Sequence, residues 1–357
     1  MDHIEKIRVA LAKRGLDAVL VTDEKNQRYA AGFPFTDGAV LVGTDRAWLI
    51  TDSRYIEAAS AAASGVEVQL YDREHPLVSL LKEDIAAAGI RTLAAEDEKL
   101  SRKAFADYEK ELDLSLAFAG DLFAQLRAAK DEEEIRCMRQ AQAVSEKALD
   151  ALLHILRPGM TEREAAAELV YHMLKNGSEG NSFDPIVISG EKTSMPHGVP
   201  GDRVIRAGDF VTMDFGCIVG GYCSDMTRTV AVGSATEEMR HVYGIVLEAQ
   251  LAGIAAAGAG VPGCHIDAAA RRVIDKAGYG AYFGHGFGHS LGLDIHEWPN
   301  ANPRGAEPMP EGAVCSAEPG IYLPGRFGVR IEDVMILRAG GCEVITKAGK
   351  DFTLIGG

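Results

Sequence analysis

Gly208-Asp-Phe-Val-Thr-Met-Asp-Phe215 and Tyr222-Cys-Ser-Asp-Met-Thr-Arg-Thr-Val-Ala-Val232 read as two β runs flanking Ile218-Val-Gly-Gly221. The pair predicts a hairpin with a tight turn centred between Val219 and Gly220, which sets Asp214 opposite Asp225. Directly opposed residues share one face of a sheet, with Cβ atoms ~5 Å apart. Like charges so placed repel, so the hairpin predicts a bound cation as well as a fold.

Three later stretches supply matching groups. His285-Gly-Phe-Gly-His289 runs on to His296, Ala317-Glu-Pro-Gly-Ile-Tyr322 follows, and Val329-Arg-Ile-Glu-Asp333 comes last. The candidate ligands are Asp214, Asp225, His289, Glu318 and Glu332. Four carboxylates and one imidazole form a hard, oxygen-rich set that suits Mn(II) or a similar divalent ion better than a thiolate site would. Two such ions cancel the four formal charges. Without them, clustered carboxylates repel one another and some stay protonated.

In this order, and over nearly the whole chain, these stretches resemble the proline-specific metallopeptidases of the creatinase or pita-bread fold, aminopeptidase P and prolidase. The resemblance implies an α/β N-terminal domain followed by an α+β pita-bread catalytic domain. It implies that Asp214 binds one ion, Asp225 bridges both, His289 and Glu318 complete the other, and Glu332 bridges again. Creatine-hydrolysing relatives of this fold work without metal, so an intact ligand set argues against that activity. Two ions ~3.5–4 Å apart lower the pKa of a shared water and polarise the substrate carbonyl. The nucleophile so implied is a metal-bridging hydroxide, with Glu318 as general base as well as ligand. The resident metal is expected to be Mn(II), with Co(II) and Zn(II) as alternatives.

His197, His285 and His296 match positions that line the family's site. His197 and His296 are expected to steady the developing oxyanion and protonate the leaving nitrogen, since imidazole donates near neutral pH. His285 is expected to shape the pocket for the residue after the cut. His3, His75, His154, His172, His241 and His265 read as ordinary hydrogen-bonding histidines. Arg330, two residues before Glu332, reads as a group that orients a ligand carboxylate.

Proline specificity also comes from the resemblance, although an X-Pro bond, a tertiary amide without an N–H, does call for a dedicated site. Many relatives carry an arginine directly after the proline of the histidine motif, placed to grip a substrate carboxylate. Here that residue is Asn300, and Arg304 is the nearest arginine. The departure favours an Xaa-Pro aminopeptidase over a strict dipeptidase. Removal of initiator methionine is disfavoured by the extra N-terminal domain, and a non-catalytic peptide-binding scaffold by the complete ligand set. Relatives use the N-terminal domain to narrow the cleft and to dimerise, which implies a homodimer acting on proline-containing peptides.

Competing motifs fall away on their own mechanics. Gly288-His-Ser-Leu-Gly292 matches the G-x-S-x-G elbow, but His296 is the sole histidine after Ser290, leaving no chain for an acid loop between them. No His-Glu-x-x-His helix occurs, because His296-Glu297 continues Trp-Pro. The six cysteines show no C-x-x-C spacing and read as reduced thiols; Cys217 and Cys223, near the hairpin turn, are expected to pack rather than pair.

At 357 residues the chain is long enough for two cores, expected at 1–126 and 127–357. A formal charge of −15 without a basic stripe opposes nucleic-acid binding. The start is an amphipathic charged helix rather than a signal peptide, and no run of about 18 apolar residues occurs. A cytoplasmic protein with no membrane partner is expected. The first domain predicts helices and strands in alternation: strands Asp17–Val21, Ala39–Gly43, Ala47–Thr51, Val66–Tyr71 and Thr92–Ala95, with helices opening the chain, from Arg54, at Leu77–Ala88 and at Arg102–Leu112. A long charged helix is expected from near Leu126 to about His154. Thr161-Glu-Arg-Glu164 reads as a capping box opening a helix closed by Gly177. Helices at Glu237–Ala255 and Ile266–Ala277 then alternate with a curved antiparallel sheet.

Overall fold

The computed structural model describes residues 2–356 and divides into two compact units, Met1–Leu126 and Arg127–Gly357. In the first unit, α1 (His3–Arg14), β1 (Ala18–Val21), α2 (Glu24–Ala31), β2 (Gly38–Gly43), β3 (Ala47–Thr51), α3 (Ile56–Ala62), β4 (Glu67–Leu70), α4 (Leu77–Ala87), β5 (Leu93–Ala95), α5 (Arg102–Leu112) and β6 (Ala117–Phe118) follow one another, and α6 (Leu122–Ala128) runs across its last residue, Leu126. The strands form one mixed sheet in the order β4-β3-β2-β1-β5-β6. Its core gathers Leu20, Leu41, Trp48, Ile50 and Leu81, all fully buried. Each such aliphatic side chain contributes about 1.5–3 kcal/mol when removed from water.

One helix of this unit escapes a periodicity reading. Glu24-Lys-Asn-Gln-Arg-Tyr-Ala-Ala31 carries no apolar stripe, yet α2 buries Asn26 and Gln27. It is held by polar contacts. Asp23 caps it, the buried Glu96 accepts from Asn26 Nδ2 at 2.6 Å and from the backbone N–H of Asp23 at 2.9 Å, and Gln27 donates to Val21 and Gly38 carbonyls.

The second unit begins with α7 (Glu132–Ile155) and α8 (Glu162–Lys175), then β7 (Gly180–Asn181), β8 (Ile186–Ser189), β9 (Phe210–Phe215), β10 (Cys217–Val219), β11 (Tyr222–Cys223) and β12 (Met226–Val232). It continues through α9 (Glu237–Ala256), α10 (Gly263–Lys276), β13 (Gly288–Ser290), β14 (Glu297–Ala301), β15 (Val314–Ala317), β16 (Gly320–Leu323), β17 (Phe327–Arg330), β18 (Asp333–Arg338), β19 (Gly341–Val344) and β20 (Leu354–Ile355). The long helix expected from Leu126 is two helices. The chain breaks at Ala129–Asp131, where Asp131 and Glu134 form a capping box; the acidic run Glu132-Glu-Glu134 then fills the first turn of α7, where the helix dipole favours negative charge. Thr161 and Glu164 form a second box on α8.

Two sheets, β20-β12-β9-β8 and β14-β13-β15-β18-β19, make up most of the second unit's strands. Neighbours are antiparallel apart from β20, which joins β12 in parallel. Helices cover each sheet from outside. Leu149, Leu152, Leu169 and Met173 of α7 and α8 pack on Val211, Met213 and Phe215 of β9, while Val246, Ile266 and Ile274 of α9 and α10 pack with Ala317, Met335 and Leu337. Because strand side chains alternate, the residues between these core positions, Asp214 among them, face the other way.

The hairpin turn lies one residue further on than its sequence suggests. Ile218 pairs with Cys223 and Val219 with Tyr222, so the turn is Gly220-Gly221, with φ of 59° and 81°. A two-residue turn of this hand needs positive φ at both central positions, which only the glycine pair supplies without strain. Asp214 therefore faces Thr227 rather than Asp225. The two aspartates lie diagonally, and Asp225 falls in the gap between β11 and β12. Glu318 sits likewise between β15 and β16, and Glu332 between β17 and β18, while the register of β13 slips directly after His289. Interruptions of this kind re-aim side chains that a regular ladder would send to alternate faces. Among the described residues, no helix is long and apolar enough to cross a membrane.

Candidate metal centre

The five candidate ligands converge on one cavity of about 470 Å³ within the second unit, lined also by His197, His285, His296, Tyr322 and Arg330. None of the six histidines read as ordinary lines it. His289 Nε2 lies 3.5 Å from Asp225 Oδ2 and 3.3 Å from Glu318 Oε1. Asp225, His289 and Glu332 each offer a ligand atom within 4.8 Å of the other two.

Three of the four carboxylates of the cluster are held by a neighbouring side chain through one oxygen. Arg330 Nη2 donates to Asp214 Oδ2 at 2.5 Å, Thr227 Oγ1 donates to Glu332 Oε2 at 2.7 Å, and Ser316 Oγ donates to Glu318 Oε1 at 3.1 Å. The remaining oxygens tell more. Asp214 Oδ1, Asp225 Oδ1 and Glu332 Oε1 are buried and have no hydrogen-bond partner among the described residues. Leaving one charged oxygen unsatisfied in a folded core costs several kcal/mol, and native cores rarely tolerate it. Three such oxygens aimed into one cavity fit divalent cations, and the hard donor set fits them as well.

The electrostatics agree with the geometry. Burial, and then the charges of Asp214 and Glu318, push the Asp225 carboxyl well above the usual carboxylate range. Glu332 is raised well above it by burial and by Asp225, and Glu318 is raised chiefly by burial. His289 is pushed down by burial, which keeps the imidazole neutral and able to ligate. Its Nδ1 lies 3.2 Å from the Ser290 carbonyl; the Nδ1–H donates there and leaves the Nε2 lone pair facing the carboxylates.

The three further histidines differ in how they are held. His285 Nδ1 lies 2.9 Å from the Gly286 carbonyl and its Nε2 2.9 Å from the Tyr322 hydroxyl. Arg330 Nη1 donates to that same hydroxyl at 2.8 Å, so the hydroxyl hydrogen is directed at His285 Nε2 and both ring nitrogens are engaged. His296 packs edge-on against His289 with ring centroids 4.3 Å apart, and burial lowers its pKa. His197 is exposed at the cavity wall.

Several residues that shape the site gave no sequence signal. Tyr322 bridges Arg330 and His285, and Thr227 links Arg330 Nε to Glu332. On α10, the buried Asp267 accepts from the Phe287 N–H at 2.9 Å and pairs with Arg271, which donates to the Phe283 and His285 carbonyls. Together they hold the segment that leads into His289. Ser290 is fully buried, and its hydroxyl donates to the Pro299 carbonyl, so it is no exposed nucleophile. Cys217 and Cys223 are buried, and neither is joined in a disulfide. Asn300 faces His289 across the β13–β14 pair and lines the cavity, which Arg304 does not reach.

Comparison with known proteins places this geometry. Residues 136–339 match the model of metallopeptidase family M24, and residues 3–129 match the creatinase/prolidase N-terminal domain. An Xaa-Pro dipeptidase from Bacillus anthracis superposes with a TM-score of 0.95 at 40% identity, covering 99% of each chain. An X-Pro aminopeptidase from Thermotoga maritima superposes with a TM-score of 0.92 at 37% identity, covering 97% of this chain and 100% of the other. The Xaa-Pro dipeptidase of Pyrococcus horikoshii is 34% identical over 98% of both chains. The chain belongs to metallopeptidase family M24 and joins a creatinase/prolidase N-terminal domain to a pita-bread catalytic domain.

Proposed function

We propose that the protein is a dinuclear metal-dependent Xaa-Pro aminopeptidase, releasing the first residue of peptides whose second residue is proline. The observation that carries the metal reading is the set of orphaned, buried oxygens on Asp214, Asp225 and Glu332. With His289 and Glu318 they would hold two divalent ions, Mn(II) foremost, and a cytoplasmic homodimer is proposed on the family resemblance. Bound ions would supply a water of lowered pKa and Lewis-acid polarisation of the scissile carbonyl.

The chain's own residues do the rest. Glu318, with one oxygen steadied by Ser316, accepts a proton from the attacking water. Arg330 and Thr227 fix Asp214 and Glu332 so that their free oxygens stay aimed inward, which limits reorganisation during reaction. His197 and His296 donate to the developing oxyanion and to the leaving nitrogen. His285 has both nitrogens engaged, which favours a pocket-shaping role for it over proton donation.

The charge of the cavity bears on substrate length. Among the described residues lining the cavity, Arg330 is the one lysine or arginine, and its guanidinium is committed to Asp214 and Tyr322. No lining cation is spare for a dipeptide's carboxylate, and Asn300 stands where many relatives have an arginine. That supports the longer substrate, although relatives named as dipeptidases and as aminopeptidases are both close. The test compares an Xaa-Pro dipeptide with an Xaa-Pro-containing pentapeptide, with Mn(II) or with chelator. Expected is chelator-sensitive release of the first residue, faster from the pentapeptide. Cleavage that persists in metal-free protein overturns the mechanism, and a marked preference for the dipeptide overturns the substrate assignment.

A further inference from the structure

His197 is the least supported of the cavity histidines. Its ring is exposed and makes no hydrogen bond among the described residues, so its position depends on the backbone that carries it. That backbone leaves β8 at Ser189, makes a short helical turn over Gly190–Ser194, passes His197, and returns to the start of α8 at Gly201.

Both ends of this excursion are fastened to one side chain. Glu162, the first residue of α8, is 0% exposed. Its Oε1 accepts from the Ser189 N–H at 2.8 Å and from Ser189 Oγ at 3.0 Å. Its Oε2 accepts from the Gly201 N–H at 3.1 Å and from Lys192 Nζ at 2.5 Å. Lys192 Nζ also donates to the Val199 carbonyl at 2.9 Å, two residues beyond His197. On the far side, the Thr193 hydroxyl accepts from the N–H of Gly328 in β17, the strand that carries Arg330.

Helix initiation does not account for Glu162, since Thr161 and Glu164 already form the capping box of α8. Stability is a weak account too, because a buried ion pair is often no more stabilising than apolar packing of the same volume. What the pair does supply is fixed geometry, and among the described residues the donors to Glu162 all lie at the ends of, or within, the one excursion that presents His197.

We infer that Glu162 and Lys192 are positioning residues for His197, holding its ring at the cavity wall from outside the metal cluster. The inference rests on the proposed role of His197 in meeting the developing oxyanion. Lys192 is the better handle, since its side chain is 25% exposed and can be shortened without opening the core.

The experiment uses the full-length, Mn(II)-loaded protein and an Xaa-Pro pentapeptide. Lys192→Ala is expected to lower kcat about 10-fold or more, a usual cost of misplacing a reacting group by a fraction of an ångström, with KM changing less than about twofold. Lys192→Arg restores most of the loss. In a His197→Ala background the Lys192→Ala change has no further effect, because the two act as one unit. Nitrogen-15 histidine spectra of metal-free protein add a readout without catalysis: the His197 ring signal, identified by its loss in His197→Ala, shifts or broadens in Lys192→Ala. Losses that multiply in the double variant, or a His197 signal unmoved by Lys192→Ala, overturn the inference. A His197→Ala variant with full kcat would instead overturn the role of His197 itself, whatever Lys192→Ala does.

Discussion

Glu332 and Asp333 are neighbours in the chain, each 1% exposed, and the protein treats them in opposite ways. Asp333 is satisfied from within. Arg228 Nη2 donates to one of its oxygens at 2.7 Å, and Lys350 Nζ and Gln250 Nε2 donate to the other at 2.5 and 2.8 Å. Burial opposes its ionisation, but Arg228 and Lys350 overcome that and hold its carboxyl below the usual range. Glu332 has Thr227 on one oxygen and no hydrogen-bond partner among the described residues on the other, and burial together with Asp225 drives its carboxyl well above the usual range. A carboxylate that the fold has finished belongs to architecture. One that the fold leaves unfinished, at equal depth, belongs to a ligand.

The sharpest way to break this contrast is to neutralise each carboxylate. Glu332→Gln should cost about 10³-fold or more in kcat/KM, the several kcal/mol a bound cation supplies to the transition state. Measured in chelator, however, the same variant should unfold at the same denaturant concentration as the parent or a higher one, since it removes a buried, unbalanced charge. An ordinary core substitution destabilises, so a lower midpoint for metal-free Glu332→Gln would sink the reading of this residue.

Asp333→Asn should do the reverse. It leaves Arg228 buried beside a neutral partner, and breaking a buried pair costs about 3–5 kcal/mol. Arg228 also donates to the Glu332 carbonyl and to the carbonyls of Ala348 and Gly349, so its displacement would loosen the C-terminal strands together. Urea unfolding should show the loss whether or not metal is present. Activity per folded molecule should fall far less than in Glu332→Gln.

Changing pH separates the two by sign. Asp333 has a depressed folded pKa, so its contribution is complete above the ordinary carboxylate pKa of about 4 and is lost as pH falls through the lower, folded value. Asp225 and Glu332 have raised folded pKa values, so their stabilising share is complete below about pH 4 and is lost as pH rises towards the folded values. Metal-free protein should therefore lose stability between pH 4 and neutrality, in part, and Mn(II) should abolish that loss. Asp333→Asn should flatten the acid limb alone. A metal-free stability curve that climbs steadily to pH 7 would count against the carboxylate cluster.

Sequence carried much of this but could not separate the neighbours. Spacing and residue type pointed to Asp214, Asp225, His289, Glu318 and Glu332 as candidates, and the resemblance implied a ligand's role for Glu332 and none for its neighbour Asp333. Nothing local distinguishes those two, because the choice is made by Arg228, Gln250 and Lys350, all distant in sequence from Glu332. The turn was legible: Gly220-Gly221 is the sole dipeptide there suited to two positive φ values, and weighing that would have moved the register by one residue on each strand. The strand breaks at Asp225, Glu318 and Glu332 were not legible, since a periodic pattern registers faces and not where a ladder is interrupted. Glu162 was hidden for the same reason as Asp333. Its partners at Ser189, Lys192 and Gly201 exist only once β8 has folded against α8.

The mildest and most discriminating change removes one hydrogen bond from each carboxylate. Thr227→Val takes away the donor to Glu332 Oε2 and the acceptor for Arg330 Nε, so it loosens a group expected to hold a cation; loss of such a supporting contact typically costs about 10-fold in activity or metal affinity. Gln250→Met takes away one of three donors to Asp333 and keeps the volume of the core, so it should cost about 1–2 kcal/mol of stability. The two changes remove bonds of 2.7 and 2.8 Å from adjacent residues, so bond strength alone predicts similar outcomes. If the contrast holds, Thr227→Val moves kcat/KM and the Mn(II) concentration for half-activity while Gln250→Met moves the unfolding midpoint. Equal shifts of both observables in both variants would mean that the orphaned oxygen on Glu332 does not set it apart from Asp333.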